Sequence, residues 1–150
     1  MSSQENKAIV QRFMEAYNNR ELEIFDELVA EDYYDHVFEQ QGREHMKQLF
    51  TMAFDAFPDW YEAIEDIIAE DDKVWVLVEA TGTHKGEWNL MGAALPPTGK
   101  EVTLNMVFIW RLKDGQLAEG WEVDADLGFL QQLGVVEYTE LGKPLGEVFR

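Results

Sequence analysis

Residues 102–128 read VTLNMVFIWRLKDGQLAEGWEVDADLG, and the fold of the chain follows from this stretch. Every second residue from Val102 to Leu112 is apolar, which predicts a strand with one apolar face, because successive strand side chains point to opposite sides. Asp114-Gly115 predicts a tight turn into a second strand, since both residues tolerate positive φ. An apolar face of this length needs a cover, and the N-terminal third of the sequence offers one.

Apolar residues recur at three- and four-residue spacing in that N-terminal third, which predicts amphipathic helices. The first helix is expected over residues 5–19 and a short second helix over residues 22–29. A third begins after Gly42 and ends at Pro58, because proline disfavours helical geometry in the residue before it. The other predicted elements are strands over 32–38, 60–69 and 73–84, a loop over 86–99, and a last helix over 126–133.

Helices that precede a run of mostly antiparallel strands are typical of the α+β class. A curved sheet wrapped around three helices gives a cone-shaped barrel with one apolar pocket, and ligand sites prefer such concave places. The sequence shows no internal repeat and no linker, so we expect a single domain over 1–150, with a core at about 6–134 and a C-terminal tail at 135–150.

Composition excludes several classes of partner. The chain of 150 residues carries a formal net charge of −18, which would repel nucleic acid and anionic membrane surfaces. It has no cysteine, so disulfides, thiol catalysis and cysteine-ligated metal are excluded. The N-terminal residues lack the pattern of a signal peptide, and no apolar run is long enough to span a membrane, so we expect a cytoplasmic location.

We expect no metal and no other cofactor. The three histidines, at positions 36, 45 and 84, do not have the spacing of metal ligands. The sequence also has no glycine-rich phosphate loop after a strand and no GxSxG nucleophile elbow.

Several motifs resemble one known family. TGTHKGEW at 81–88, LPPTGK at 95–100 and LGFLQQLG at 127–134 are similar to segments of the SnoaL-like polyketide cyclases, or ester cyclases, of the nuclear-transport-factor-two-like superfamily. The resemblance runs from about residue 6 to 134. It implies a cone-shaped α+β barrel, often paired through its sheet, and ring closure by intramolecular aldol condensation. Relatives of the same fold include isomerases, epoxide hydrolases, dehydratases and non-catalytic binding domains, so the fold alone does not determine the function.

The family pattern is altered at the positions that usually carry chemistry. The resemblance implies a pocket aspartate that acts as acid/base near the end of the last strand. In this chain the corresponding position is occupied by Ala125, which lies between Asp124 and Asp126. Both neighbours point away from the face of Ala125 on a regular strand, although a bulge or an early helix start would turn one of them inward. Phe108 and Gly120 stand where many members carry polar residues.

Three residues are candidates for catalysis. Asp124 is a candidate base, because burial against Phe108 and Trp121 would raise the pKa of its carboxyl group; capping of the last helix by Asp124 or Asp126 is the alternative. His36 could polarise a carbonyl group, or could be a hydrogen-bonded structural histidine. Glu119 shares strand parity with Trp121, so both are expected to face inward.

Six residues are candidates for contact with a ligand. Aromatic and methionine side chains also simply fill cores, and a buried histidine often ties a loop to the sheet, which is the alternative for His84. The candidates are Tyr34, His84, Trp88, Met91, Phe108 and Trp121.

Three functions remain open at this point. The first is a cyclase- or isomerase-type enzyme that acts by acid/base catalysis on a small hydrophobic carbonyl compound, without a cofactor. The second is a non-catalytic protein that binds a small hydrophobic molecule, and the third is a dimerisation module whose pocket is filled by its own side chains. A homodimer is expected in each case, because the outer sheet face carries four large apolar residues, Trp75, Leu77, Val107 and Ile109.

Overall fold

The computed structural model describes residues 1–90 and 92–148. Its helices are α1 (Ser3–Asn18), α2 (Ile24–Leu28), α3 (Arg43–Ala56), α4 (Asp126–Gln132) and α5 (Lys143–Gly146). Its strands are β1 (Val29–Asp35), β2 (Gln40–Gln41), β3 (Tyr61–Glu70), β4 (Lys73–Thr83), β5 (Trp88–Leu90), β6 (Ala93–Leu95), β7 (Glu101–Lys113) and β8 (Gln116–Asp124). None of the helices in this part of the chain is long and apolar enough to cross a membrane.

Six strands form one sheet in the order β2-β1-β8-β7-β4-β3, and β5 and β6 pair separately. Neighbouring strands are antiparallel except β1 and β8, which run parallel. Helix α1 packs against β3 and β4, while α3 packs against β1. The predicted α+β class, with helices on a curved and mostly antiparallel sheet, is confirmed.

The predicted hairpin of β7 and β8 supplies much of the core. The alternate residues from Val102 to Leu112 are all buried, as the sequence pattern predicts. The inward residues of β4, which include Val74 and Val78, are fully buried beside them. Aromatic residues of α1 and α2 cover this face, and Phe13 packs edge-on against both Phe25 and Trp110.

The structure differs from the predicted elements in three places. Val29 begins β1 instead of ending a helix, because it pairs with Leu117 of the parallel strand β8. The predicted loop at 86–99 contains the short hairpin of β5 and β6. The weakly patterned tail contains the single-turn helix α5.

A β-bulge in β8 decides which side chains reach the interior. Leu117 pairs with Leu112, but the next pair joins Glu119 to Arg111, so Ala118 is an extra residue on β8. A bulge of this kind shifts the alternation of faces along the strand by one residue. After the bulge, Gly120 pairs with Trp110, whose side chain is buried.

Candidate functional site

A cavity of about 370 Å³ lies between the inner face of the sheet and helices α3 and α4. Its walls are mostly aromatic and aliphatic, with contributions from α1, α3, β7 and the small β5–β6 hairpin. Five of the described lining residues carry a carboxyl group: Asp35, Glu62, Glu122, Asp124 and Asp126. An apolar cavity with a few convergent polar groups is the usual form of a small-molecule site.

Glu122 and Asp124 form the polar wall of this cavity. They pair with Phe108 and Met106 of β7, whose side chains are buried on the inner face, and cross-strand partners share a face. The bulge at Ala118 therefore turns both carboxyl groups inward. Asp124 reaches the cavity although the family pattern places the aspartate at position 125 of this chain.

The two carboxyl groups titrate as a pair. Burial raises the pKa of Glu122 well above its ordinary value, and the neighbouring Asp124 raises it further. Burial also raises the pKa of Asp124, while its hydrogen bond with Glu122 opposes that rise. Two carboxylates so close together do not ionise independently, because each negative charge disfavours the other. Glu122 therefore keeps a proton more readily, and Asp124 accepts the hydrogen bond.

Glu62 is a third buried acid in the same cavity. Its side chain is only 4% exposed, and the Trp60 indole N–H donates to Oε1 at 2.9 Å. Asn18, at the end of α1, exchanges hydrogen bonds with both main-chain groups of Glu62, which fixes the start of β3. Burial raises the pKa of Glu62 to about 7, while hydrogen bonds from Trp60 and Tyr17 limit the rise.

The raised pKa of Glu62 makes stability fall as the pH rises. The folded protein holds this proton up to pH about 7, whereas the unfolded chain releases it near pH 4.5. The contribution is thus fully present below pH 4.5 and is lost as the pH rises through about 7. At about 1.4 kcal/mol for each pH unit, we expect Glu62 alone to lower the free energy of unfolding by about 3 kcal/mol across that range.

Urea unfolding between pH about 5 and 8 measures this effect. Glu62→Gln keeps an acceptor for the Trp60 N–H but removes the titration, so the decline in the free energy of unfolding should become shallower. Glu15→Gln makes the same charge change on the exposed side of α1 and should leave the decline as in the wild type. An equal decline in the Glu62→Gln variant would contradict the role given to this carboxyl group.

Two of the predicted catalytic residues lie on the opposite side of the sheet. The prediction that Glu119 and Trp121 face inward is wrong, because the bulge at Ala118 reverses the faces of the residues that follow it. The Glu119 carboxylate pairs with Arg111, and its Oε2 lies 2.6 Å from Nε2 of His36. His36 stacks on the Trp121 indole at 4.1 Å, so the structure does not bring it together with Asp124 in the cavity. Trp121 borders the cavity, but its ring packs outside.

In strand β1, too, the side chain that was predicted to face the cavity lies on the outer face of the sheet. Tyr34, a predicted ligand contact, is 37% exposed and packs edge-on against His36 on the outer side. Its neighbours Tyr33 and Asp35 are buried and line the cavity instead. Side chains alternate between the two faces of β1, so Tyr33 and Tyr34 must point to opposite sides. The pairing of β1 with β8 shows which side faces the cavity, and the sequence alone does not reveal that pairing.

His84 ties a loop to the sheet, which is the alternative that the sequence left open. It is fully buried, stacks on Phe57, and accepts a hydrogen bond from the Thr98 main-chain N–H at Nδ1. Burial lowers the pKa of His84. Its side chain is absent from the described lining of the cavity, and its position explains why the GTHKGEW segment is fixed next to LPPTG.

Two of the other predicted ligand contacts lie at the cavity. Trp88 and Phe108 line the cavity, and Trp88 packs edge-on against Phe129 of α4. Met91 lies outside the described residues. Capping of the last helix by Asp124 or Asp126 is not found, because Ala125 is the N-cap and no side chain caps it.

Sequence reasoning missed Glu62 and Glu122. Glu122 was missed because the bulge that turns it inward leaves no sign in the alternation of β8. Glu62 lies in a strand of mixed pattern, where only its closeness to Trp60 hinted at a buried carboxyl group. Over residues 1–90 and 92–148, no three histidine or carboxyl groups are grouped so that they could hold a metal ion.

Comparisons with known proteins agree with this fold. The profile of the SnoaL-like polyketide cyclases matches residues 7–133. A search of curated proteins finds no match. Among solved structures, IdmH from Streptomyces antibioticus, a candidate polyketide cyclase, is 28% identical, with a TM-score of 0.72 over 87% of this chain and 99% of that one.

Two further structures widen the comparison. AclR from Streptomyces galilaeus, a candidate hydroxylase, is 26% identical, with a TM-score of 0.77 over 99% of this chain and 93% of that one. TsrD from Streptomyces laurentii is 21% identical, with a TM-score of 0.80 over 91% of this chain and 99% of that one, and at this identity the likeness shows the fold alone. Since the profile covers most of its sequence, the chain belongs to the SnoaL-like polyketide cyclase family.

Proposed function

We propose that the protein is a cyclase- or isomerase-type enzyme that moves a proton on a small hydrophobic carbonyl compound. The observation that carries this proposal is the Glu122–Asp124 pair, which faces an apolar cavity from adjacent inward positions of β8. IdmH, which is 28% identical, is itself a candidate polyketide cyclase, and that chemistry begins with the same kind of proton transfer. Proton transfer of this kind needs an acid, a base and a site that limits water.

Asp124 is the proposed base and Glu122 the proposed acid. Asp124 accepts the hydrogen bond from Glu122, and an ionised carboxylate has further lone pairs, so one of them is free to remove a proton next to a carbonyl group. Glu122 holds its proton because burial and Asp124 raise its pKa, so it can donate to the carbonyl oxygen as negative charge develops there. Two carboxyl groups with one shared proton supply both roles at neutral pH.

Exchange of α-protons tests the proposal without knowledge of the natural substrate. β-Tetralone is a small hydrophobic ketone with acidic α-protons, and their replacement by deuterium in heavy water is followed by proton NMR. We expect the wild-type protein to accelerate the exchange in proportion to its concentration. Exchange at the rate of protein-free buffer, under conditions where the ketone binds, would contradict acid/base catalysis and favour the second function.

The second function is binding without chemistry, and one observation favours it. The resemblance implies polar residues at positions 108 and 120, where this chain has Phe108 and Gly120, so these two points of the cavity wall carry no group for chemistry. A ligand would then be held and released unchanged, which mass spectrometry of the recovered ligand detects. The third function, an interior filled by its own side chains, is difficult to reconcile with a cavity of about 370 Å³.

We also propose that two copies pair through the outer face of the sheet. Trp75 and Leu77 are 46% and 40% exposed on this face, and Val123 of β8 is 62% exposed. Trp75 is paired with Ile109 and Leu77 with Val107, so the exposed residues of β4 continue into half-buried apolar residues of β7. A contiguous exposed apolar patch is typical of an interaction surface.

Light scattering measures this pairing. The wild type should have twice the mass of one chain, and Leu77→Lys should have the mass of one chain, because a lysine there would be buried without a partner. Glu15→Lys places the same side chain on the exposed side of α1 and should stay dimeric. A monomeric wild type at micromolar concentration would contradict the proposal.

A further inference from the structure

The charges that line the cavity are all of one sign. Of the lining residues that the structure describes, five carry a carboxyl group and none carries a lysine, arginine or histidine side chain. In a site of low dielectric constant, an anionic ligand would be repelled strongly by such a wall. A wall of acids without a basic group disfavours carboxylates and phosphates as ligands and favours neutral and cationic compounds.

The nearby arginine side chains make their hydrogen bonds and ion pairs outside the cavity. Arg20 donates to the main-chain carbonyls of Asn18, Pro58 and Trp60 and lies over the ring of Phe54, 3.8 Å from its centroid. Arg111 pairs with Glu119 on the outer face of the sheet. Within the described part of the chain, therefore, no basic side chain lines the cavity, although the Arg20 charge acts on Glu62 from behind the wall and Nε2 of His45 lies 3.6 Å from Oδ2 of Asp35.

The rest of the wall suits a cation. Phe108 and Trp110 stack on each other at 5.0 Å, and Phe57 and Phe129 approach at 5.9 Å. The faces of aromatic rings attract cations, most strongly where water is excluded. The buried Oδ1 of Asp124, which has no partner among the described residues, is an acceptor that an ammonium group can fill.

We propose that the substrate or ligand of this cavity is a hydrophobic compound that carries a cationic amine, and that Glu62 and Asp124 receive the ammonium group between aromatic walls while Glu122 keeps its proton. The inference rests on the proposed function, because it names the substrate class of the same site.

Three compounds of one shape test the proposal: naphthylmethylamine, naphthylmethanol and naphthoate. Their binding to the full-length chain is measured by titration calorimetry at pH about 7.5, where the amine is charged. The measurement is made at about 1 M NaCl, because a Debye length of about 3 Å screens the long-range attraction of any cation to a protein of charge −18. We expect the amine to bind about tenfold or more tightly than the alcohol, and the naphthoate to bind most weakly.

Matched variants show whether the preference for the amine arises in the cavity. Glu62→Gln and Asp124→Asn should each reduce the preference for the amine to about threefold or less while the alcohol binds as before, whereas Glu15→Gln on the exposed side of α1 should keep the full preference. Equal binding of the amine and the alcohol would overturn the proposal. So would a preference that survives in the cavity variants, or the failure of all three compounds to bind.

The same data separate this inference from the proposed function. Exchange of β-tetralone by the wild type, without a preference for the amine, would leave acid/base catalysis standing and remove the amine. A preference for the amine that depends on Glu62, without any exchange, would leave a binding site for amines and remove the catalysis.

Discussion

Replacement of Asp124 by asparagine is expected to slow the exchange of β-tetralone α-protons by about 10²- to 10⁴-fold, the range that a positioned base contributes. Asparagine has nearly the same shape but cannot accept the proton. The fold should persist, because the asparagine amide oxygen can still accept the hydrogen bond from the Glu122 carboxyl group. The rate is measured by proton NMR, and circular dichroism checks the fold.

Asp126→Asn is the matched control for this substitution. Asp126 also borders the cavity, but it belongs to the first turn of α4, beyond the inward positions of β8. Its variant should exchange the ketone at a rate close to that of the wild type. Full activity in the Asp124→Asn variant would remove Asp124 from the mechanism, and equal losses in the two variants would indicate a general effect of cavity charge.

Gly120→Ala is expected to lower the free energy of unfolding by about 2 to 4 kcal/mol, because it overpacks a filled site and disturbs a buried hydrogen bond. A Cβ atom at this position would overlap the Tyr33 hydroxyl oxygen and lie 2.9 Å from Cδ1 of Trp110. The Trp110 side chain hydrogen-bonds with that hydroxyl group, and both rings are buried. Urea unfolding at fixed pH measures the change.

Two further variants test whether the steric clash causes this loss of stability. Gly128→Ala adds a methyl group in α4 with nothing within 4 Å, so it should be neutral or stabilising. Tyr33→Phe removes the overlapping oxygen, so in a double-mutant cycle it should recover part of the loss caused by Gly120→Ala. A loss in Gly128→Ala as large as that in Gly120→Ala would contradict the account of the clash. The same clash would meet any larger side chain at position 120.

The sequence could predict the fold because its signals are local and repeated. The alternation of Val102–Leu112 and the turn at Asp114-Gly115 specify the hairpin of β7 and β8, and the helical spacing of the N-terminal third specifies the helices that cover it. The short strands β5 and β6 were missed, because three-residue strands leave almost no pattern. The parallel pairing of β1 with β8 is a long-range contact, which periodicity does not report.

The candidate site was predicted only in part, for one physical reason. A single extra residue, Ala118, reverses the faces of β8, so Glu122 and Asp124 turn inward while Glu119 and Trp121 turn outward. The sequence supplied Asp124 through its position next to Ala125, with a bulge as the condition that would turn it inward. It could not supply Glu122, because nothing in the order of residues distinguishes a regular strand from one with a bulge at Ala118.

The protonation state of the Glu122–Asp124 pair tests most directly the claim that these two residues act as acid and base, because its measurement needs no substrate. Carbon-13 NMR follows the side-chain carboxyl carbons through a pH titration, with Glu122→Gln and Asp124→Asn as the means of assignment. We expect the pair to hold one proton at neutral pH, with the Glu122 resonance moving only at higher pH, as its raised pKa requires. If both resonances moved together with midpoints near pH 4, the ordinary value for carboxyl groups, the pair would have no acid to donate and the account would be contradicted.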